Sequence, residues 1–186
     1  MRAATELIVR DGFPAVTIDA IVKRAGTTKP AFYRRFSQVG DMIPAIIASR
    51  HDLGRHIDEG SLELDLIAFQ EAQRKIFDDP LVRQGMAGWL AYLTAHPDQA
   101  QTFVNGFLGP RTETLVAILM RAALRKEFGA ERNPGVIMDI LVGPMLMRSM
   151  LPGFESIDDR LVDQTVDVAL TYLGVRSPVK SAASRV

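Results

Sequence analysis

The chain contains no cysteine and only one tryptophan, and no apolar run in it approaches the ~18 residues that a membrane span requires. The absence of thiols excludes disulfides, thiolate catalysis, zinc fingers and thiolate-ligated iron–sulfur clusters, and it is compatible with a reducing compartment. Arg2 and Glu6 follow Met1 closely, so the start of the chain does not predict a secretory signal. Together these features predict a soluble, cytoplasmic protein.

The composition is that of a folded chain. Of the 186 residues, 47% are hydrophobic and 24% are charged. A chain of this length buries roughly 70% of the surface that it exposes when unfolded, which excludes disordered, collagen-like and low-complexity classes. The length predicts one domain, or two small domains packed closely together.

The net charge is zero, from 22 basic and 22 acidic residues, but the two signs are unevenly distributed. Residues 1–50 contain eight Lys or Arg against four Asp or Glu, so the remaining residues carry four excess negative charges. This asymmetry predicts a basic N-terminal module on a mildly acidic body. An ordinary solvated surface is the alternative explanation.

The hydrophobic pattern is helical along almost the whole chain, and sustained β-type alternation does not occur. We therefore predict an all-α fold, with a three-helix N-terminal domain at residues 1–50 and a second helical domain at residues 51–176. Residues 177–186 have no apolar period and are predicted to be a disordered tail. The helices after residue 40 are predicted at about 41–53, 61–79, 80–95, 97–107, 110–128, 134–151 and 157–173.

Residues 17–36 carry the strongest local signal. Thr17 and Thr28 each stand where a hydroxyl can cap a helix, and Gly26 lies between the two helices as a tight turn. This is the geometry of a helix-turn-helix, whose second helix lies in the major groove of DNA while the first crosses the backbone. A helix, a glycine turn and a helix also occur in many helical bundles, so a purely structural role is the alternative.

In the DNA-binding interpretation, the second helix leads with its N-terminal residues toward base edges, and later residues reach phosphates. The residues expected to lead into the groove are Thr27, Thr28, Lys29, Pro30 and Ala31, and those expected to reach phosphates are Tyr33, Arg34 and Arg35. Double-stranded DNA is therefore the predicted partner.

Residues 3–50 resemble the DNA-binding domain of the TetR (tetracycline-repressor-like) family. The matching stretches are AATELIVRDGF, TIDAIVKRAG and KPAFYRRF. The resemblance implies a homodimeric transcriptional regulator, usually a repressor, on a palindromic operator. It places Thr17, Thr28, Lys29, Ala31 and Tyr33 at positions that the family uses for DNA, with Thr17 and Tyr33 expected at phosphates.

Two features depart from the family pattern. Val39 stands where the family usually has a lysine that contacts phosphate at the start of the fourth helix. The first helix is also short, because family members normally carry further residues, often a basic arm, before the position of Ala3. Either translation begins upstream of Met1 or this chain docks with less help from its first helix, and a helical scaffold that has lost DNA binding is the alternative function.

Residues 80–173 are similar, more weakly, to a C-terminal domain found in one TetR subgroup. In the family this domain binds a small-molecule effector and forms the dimer, so the last two long helices would pair with their copies as an isologous four-helix bundle. The interface residues expected from the apolar stripes are Ile137, Ile140, Leu141, Pro144, Met145, Arg148, Leu161, Val162, Val166, Ala169, Leu170 and Leu173. The alternative is that both helices pack within one subunit.

Large apolar side chains of the body helices are candidates for the wall of a pocket that accepts a hydrophobic effector. They are Phe69, Met86, Trp89, Leu90, Tyr92, Leu93, Phe103, Phe107, Leu119, Met120, Met145 and Met147. Core packing is the alternative for each of them. Arg111 and Arg148 are expected either to pair with an anionic ligand, or to pair with a helix neighbour such as Glu113 or Asp139 or to face water.

Four glycines interrupt the body helices. They are Gly85, Gly88, Gly106 and Gly109. Glycine in a helix interior costs about 1 kcal/mol relative to alanine, so these positions are predicted to mark space or motion.

No catalytic residues, cofactor or metal are predicted. His51, Asp52 and His56 come nearest to a metal site, but the two histidines are five residues apart, which places them about 140° apart around a helix. His96 precedes Pro97 and is expected to be a turn residue. No Gly-rich phosphate loop, nucleophile elbow or carboxylate pair stands out, so the sequence does not favour an enzyme, which is the other alternative to a regulator.

Overall fold

The computed structural model of the chain describes residues 1–51, 57–129 and 132–176, without the side chains of residues 98 and 102. Every regular element in these residues is helical, which confirms the predicted all-α class. The α-helices are α1 Arg2–Asp11, α2 Ile18–Ala25, α3 Lys29–Tyr33, α4 Met42–Arg50, α5 Leu62–Phe77, α6 Pro80–Ala95, α7 Ala100–Phe103, α8 Gly109–Leu124, α9 Pro134–Met150 and α10 Asp159–Tyr172. Short 3-10 turns occupy Phe13–Ala15 and Pro97–Gln99.

The middle of the body departs from the prediction. Two separate helices were expected before and after residue 109, but α7 and α8 form one continuous helical run joined by a π-helical segment at Val104–Leu108. Pro110 follows the segment after one residue, Gly109, and its ring disturbs the hydrogen bonding of the preceding helical turn. A single wide π turn accommodates such a disturbance without ending the helix.

The N-terminal helices form for the local reasons that the sequence indicates. The Thr17 hydroxyl accepts a hydrogen bond from the Ala20 N–H at 3.1 Å, and Gly26 ends α2 in the left-handed region at φ 62°. The Thr28 hydroxyl accepts one from the Ala31 N–H at 3.4 Å at the start of α3. These contacts fix the turn between α2 and α3.

The buried side chains form two clusters. The first joins α1, α2, α3 and α4 to α6, so that Ile8 and Phe13 share one core with Met86 and Trp89. The second lies among α5, α8, α9 and α10. The N-terminal helices therefore pack directly on the body through α6.

The predicted dimer interface is corrected by this packing. Except for the half-buried Pro144, the apolar residues proposed for it lie inside the subunit or pack against its core; among them Ile137, Leu141 and Met145 are fully buried. Arg148 is half-buried and donates to the Ser156 carbonyl at 2.9 Å. These buried side chains cannot meet a second copy. The sequence pattern failed because α9 is apolar around much of its circumference, so periodicity did not identify its inward face. The outward sides of α9 and α10 carry other residues, beside which only Ile140, Pro144 and Arg148 of the predicted set are half-exposed on α9.

No helix within the described parts of the chain is both long and apolar enough to cross a membrane.

Candidate DNA interface and effector site

The helix-turn-helix presents one polar surface to solvent. Of the residues predicted to contact DNA, Ala31 is half-buried and the others are exposed: Thr17, Thr27, Thr28, Lys29, Pro30, Tyr33 and Arg34. Phe32 points the other way into the core at 6% exposure, while Tyr33 beside it is 54% exposed. Burial of Phe32 thus turns the polar side of α3 outward. The structure brings the predicted contact residues together on one surface.

Lys29 is held by an ion pair within this surface. Its Nζ lies 2.8 Å from Asp19 Oδ1, and the hydrogen bond and charge of Asp19 raise the pKa of Lys29. Both side chains are exposed, so solvent screens the pair and it opens easily. A DNA phosphate or base edge can therefore replace Asp19 as the partner of Lys29.

The start of α4 lacks the cation that the family pattern places there. Val39 is half-buried and packs against the first core, in a groove that Phe13 and Tyr92 also line. The preceding turn is fixed by Asp41, whose carboxylate accepts hydrogen bonds from the Ser37 and Gln38 N–H groups at 3.0 and 3.1 Å. Val39 therefore has a packing role in this chain.

The residues predicted to line a pocket divide into three groups. Those in or against the first core are Met86, Trp89, Leu90, Tyr92, Leu93, Phe103, Phe107 and Met145, whereas Phe69 and Leu119 belong to the second core. Met120 is 64% exposed and, with Leu119, lines an open, mostly apolar pocket that Phe128 and Ile137 also line, whereas Met147 is 48% exposed on the surface of α9. Trp89 is the centre of the first group, because its ring centroid lies 5.1 Å from that of Phe103 and 6.0 Å from that of Phe107.

Arg111 has a different environment from the one expected of a surface arginine. It is 1% exposed, its Nε donates to Gln73 Oε1 at 2.6 Å, and its Cζ lies 4.5 and 5.2 Å from the ring centroids of Phe107 and Phe77. Within the part of the chain that the structure describes, its Nη1 and Nη2 atoms have no hydrogen-bond partner and no carboxylate pairs with it. Burial lowers the pKa of Arg111 to about 9, so the group is a cation at neutral pH.

Arg148 pairs with an acidic side chain of its own chain, which was the alternative to an anionic ligand. Besides its bond to the Ser156 carbonyl, its Nη1 lies 3.5 Å from Glu155 Oε2. Glu155 rather than Asp139 is thus its acidic neighbour. Arg111 and Arg148 looked equivalent in the sequence, and only burial separates them.

Three of the four body glycines mark places where the N-terminal helices touch the body. A Cβ added to Gly106 would lie 2.6 Å from Pro44 Cβ in α4, and one added to Gly85 would lie 2.6 Å from Ile8 Cγ2 in α1. One on Gly88 would meet Phe13 Cβ at 3.0 Å. The sequence predicted that these glycines mark space or motion. In the structure they allow the N-terminal helices to approach the body closely.

A polar contact joins the end of α4 to the start of α6. Asp79 caps α6 by accepting from the Leu81 N–H at 2.8 Å, and it also binds Arg50 at 2.8 Å and His51 Nε2 at 2.7 Å. Burial alone would raise the pKa of the Asp79 carboxyl, but the bonds from Leu81, His51 and Arg50 hold it below its usual range. Sequence patterns did not indicate this contact, because its partners are 28 and 29 residues apart.

Among the described residues, the histidines do not form a metal site. His51 pairs with Asp79, while Asp52 and His56 lie outside the described residues. His96 Nδ1 lies 2.8 Å from the Tyr92 carbonyl at the end of α6, which agrees with a turn residue. Across residues 1–51, 57–129 and 132–176 no group of potential metal ligands is found.

Comparison with known proteins identifies the family. A family model for bacterial regulatory proteins of the tetR family matches residues 1–45, and one for a tetracyclin repressor-like C-terminal domain matches residues 56–169. The chain belongs to the TetR family. It is 25% identical over 177 residues to a DNA-binding transcriptional repressor TetR of Mycobacteroides abscessus, covering 93% of this chain and 90% of that protein.

Solved structures agree on the fold. The TetR family transcription regulator SCO0332 matches with a TM-score of 0.71 at 20% identity, covering 95% of both chains. GusR of Salmonella enterica matches with a TM-score of 0.71 at 19% identity, covering 93% of this chain and 92% of that one. As a member of the TetR family with its N-terminal domain, the chain is a DNA-binding transcriptional regulator.

Proposed function

We propose that this TetR-family chain is a cytoplasmic, ligand-responsive repressor that binds a palindromic operator as a homodimer. The observation that carries the proposal is the exposed polar side of α3 on a unit joined to the body through α4 and α6. We call residues 1–50 the reading unit. The body contacts this unit through α1 and α4, so a change in the interior of the body can move α3. Two reading units of one dimer would enter successive major grooves, about 34–36 Å apart or somewhat more.

The outward sides of α9 and α10 are the proposed dimer interface. Val136, Gly143 and Met147 recur at helical spacing on the exposed side of α9, and Val168 is 54% exposed on α10. Apolar side chains on two neighbouring helices favour an isologous contact, in which each surface meets its own copy. This surface replaces the buried residues that the sequence pattern indicated.

Repression would be relieved by a shift between two arrangements of the dimer. In one arrangement the separation of the two reading units does not fit the operator. An effector that binds this arrangement more tightly than the other lowers operator affinity, and the limit of the effect is the difference between its two binding free energies. Movement of α4 is the proposed route, because α4 packs on the π-helical segment and is tied to α6 through Asp79.

A fluorescence-anisotropy titration against DNA from immediately upstream of the gene tests the proposal, with a scrambled duplex as the control. We expect tight binding that prefers the upstream fragment and weakens steeply with salt, because phosphate contacts release counterions. Tyr33→Phe should weaken binding to all sequences alike, whereas Lys29→Ala should alter preference among operator variants. Lys75→Ala, which removes an exposed cation from α5, is the matched control and should change neither.

Two outcomes would contradict the proposal. Equal, weak binding to both duplexes, persisting in a chain extended at its N-terminus, would favour a helical scaffold that has lost DNA binding. Unchanged operator affinity in the Lys29→Ala, Tyr33→Ala double variant would show that the contact surface is assigned wrongly.

A further inference from the structure

Among the described residues, Arg111 is a buried cation that no carboxylate pairs with. Transfer of a charge from water into a protein interior is costly unless the charge is paired and hydrogen-bonded. Arginine has five N–H donors, and in Arg111 only Nε has a hydrogen-bond acceptor. The rings of Phe77 and Phe107 contact the guanidinium but cannot accept the two terminal NH₂ groups as a carboxylate would.

Two side chains near Arg111 also carry hydrogen-bond donors that have no partner among the described residues. Gln73 is 0% exposed and uses its Oε1 to hold Arg111, which leaves its Nε2 without a partner. Trp89 is also fully buried, its Nε1 has no partner, and its ring lies 6.0 Å from the ring of Phe107. A native interior satisfies most buried polar groups, so unpaired donors on three neighbouring side chains call for an acceptor from outside the chain.

We propose that Arg111 is the anchor of the effector site, and that the effector is a small organic monocarboxylate with an apolar body. The two terminal nitrogens of Arg111 are both free, and they match the two oxygens of one carboxylate in a bidentate pair. Phe77, Phe107 and Trp89 supply apolar surface for the rest of the molecule.

The charge balance favours a monoanion over a phosphate. One carboxylate neutralises the single charge of Arg111, whereas a phosphate dianion would leave a buried negative charge. No second cation among the described residues pairs with this cluster to offset such a charge. Inorganic phosphate is therefore expected to bind poorly.

Arg111 is well placed to act on α4. It lies in the first turn of α8, directly after the π-helical segment, and Gly106 of that segment touches Pro44 of α4. π-Helical turns often occur at functional sites, because their wider hydrogen bonding can rearrange. The coupling rests on the proposed ligand response, whereas the anion site itself does not.

The fluorescence of Trp89 provides the test, because it is the chain's single tryptophan and lies within the cluster. Full-length protein without DNA is titrated with benzoate, phenylacetate and hexanoate, and with benzamide and inorganic phosphate as controls. We expect saturable changes with the carboxylates and none with the controls. Arg111→Met should weaken carboxylate binding by about 30-fold or more, because it removes a bidentate charge-assisted pair. Arg148→Met, which removes an arginine with its own acidic neighbour, should leave binding unchanged.

Two variants separate a binding role from a structural one. Arg111→Met should melt close to the wild-type temperature, because removal of an unpaired buried cation offsets the hydrogen bond that Gln73 Oε1 loses. Gln73→Glu supplies a carboxylate to Arg111 from within the chain, so it should raise the melting temperature and weaken binding of the added carboxylates. Arg111→Lys keeps the charge but loses the bidentate geometry, and should bind carboxylates more weakly than wild type.

Three results would overturn the proposal. One is the absence of any saturable response of the wild-type protein to the carboxylates. Another is equal binding by wild type and Arg111→Met. The third is a lower melting temperature in Arg111→Met without stabilisation by Gln73→Glu, which would make Arg111 a structural residue. Operator titrations in the presence of bound carboxylate keep the two proposals apart: binding through Arg111 without release of DNA contradicts the ligand response alone, and operator binding without carboxylate binding contradicts the anion site alone.

Discussion

Gly106→Ala is the sharpest perturbation of the contact between body and reading unit. The added Cβ would lie 2.6 Å from Pro44 Cβ and 3.1 Å from Pro44 Cγ, whereas ordinary contacts fall at 3.4–4 Å. Pro44 cannot turn away, because its ring fixes the position of Cβ and Cγ. Either α4 or the π-helical segment must therefore shift by about 1 Å, since packed interiors offer no free volume to absorb the methyl group.

Two opposing effects set the magnitude. Overpacking of this kind costs about 1–3 kcal/mol. Replacement of a helical glycine by alanine returns about 0.5–1 kcal/mol, because the unfolded chain loses conformational freedom. The midpoints of the two ranges leave a net loss of about 1 kcal/mol, which corresponds to a fall of roughly 2–4 °C in melting temperature for a chain of this size.

Thermal melting and operator titration of the same sample measure both consequences. We expect Gly106→Ala to melt lower and to bind the operator more weakly, although no atom of Gly106 belongs to the helix-turn-helix. Asn105→Ala is the matched control, because Asn105 is an exposed neighbour in the same segment and its substitution should change stability by no more than about 0.5 kcal/mol. A Gly106→Ala variant with wild-type melting and wild-type operator affinity would refute the rigid contact between α4 and the π-helical segment.

Two further predictions concern the other contacts of the fold. Because the folded-state pKa of Asp79 is lowered, its carboxylate contributes stability that is present above the ordinary value of 3.8 and is lost as pH falls through the folded pKa. Asp79→Asn should therefore lower stability by about 1–2 kcal/mol at pH 7 in urea unfolding, with a smaller difference at pH 3, and an equal difference at both would contradict the charge-based reason. Met147→Glu should dissociate the dimer in sedimentation experiments, because Met147 is 48% exposed on α9, while Val9→Glu on α1 should leave it intact. A Met147→Glu dimer of wild-type affinity would exclude this face of α9.

The helix-turn-helix was predictable because its determinants are local. A cap from Thr17, a left-handed Gly26 and a cap from Thr28 each act within four residues, and the structure has all three. The outward position of Tyr33 follows from the burial of its neighbour Phe32. Short-range stereochemistry is sufficient here, so sequence and structure agree.

The inward face of α9 was not predictable from periodicity. Its inner residue Leu141 and its outer residue Met147 are both large and apolar, and an internal proline, Pro144, adds no polar contrast between the faces. An amphipathic pattern identifies a buried face only when the opposite face is polar. A helix that is buried on one side and apolar on the other shows no such contrast.

The state of Arg111 depends on contacts that are distant in the sequence. Glu113 was an unsuitable partner from the start, because residues two apart on a helix do not face each other, and the structure exposes Glu113 while it buries Arg111. Gln73, which does bind Arg111, lies 38 residues away on α5. A pattern confined to α8 contains no information about that packing.

Three contacts now define how a change near Arg111 could reach the DNA. Ile8 against Gly85 and Pro44 against Gly106 are too tight to compress, and the Arg50–Asp79 pair holds the end of α4 to α6. Because interfaces of this kind change between discrete arrangements rather than deforming gradually, a carboxylate that repacks the π-helical segment must move α4 as a unit. Allosteric couplings are typically 1–3 kcal/mol, or about 5–150-fold in affinity. The cost of about 1 kcal/mol worked out for one extra methyl group at Gly106 reaches the lower end of that range, so a repacking of this segment is large enough to change operator affinity measurably.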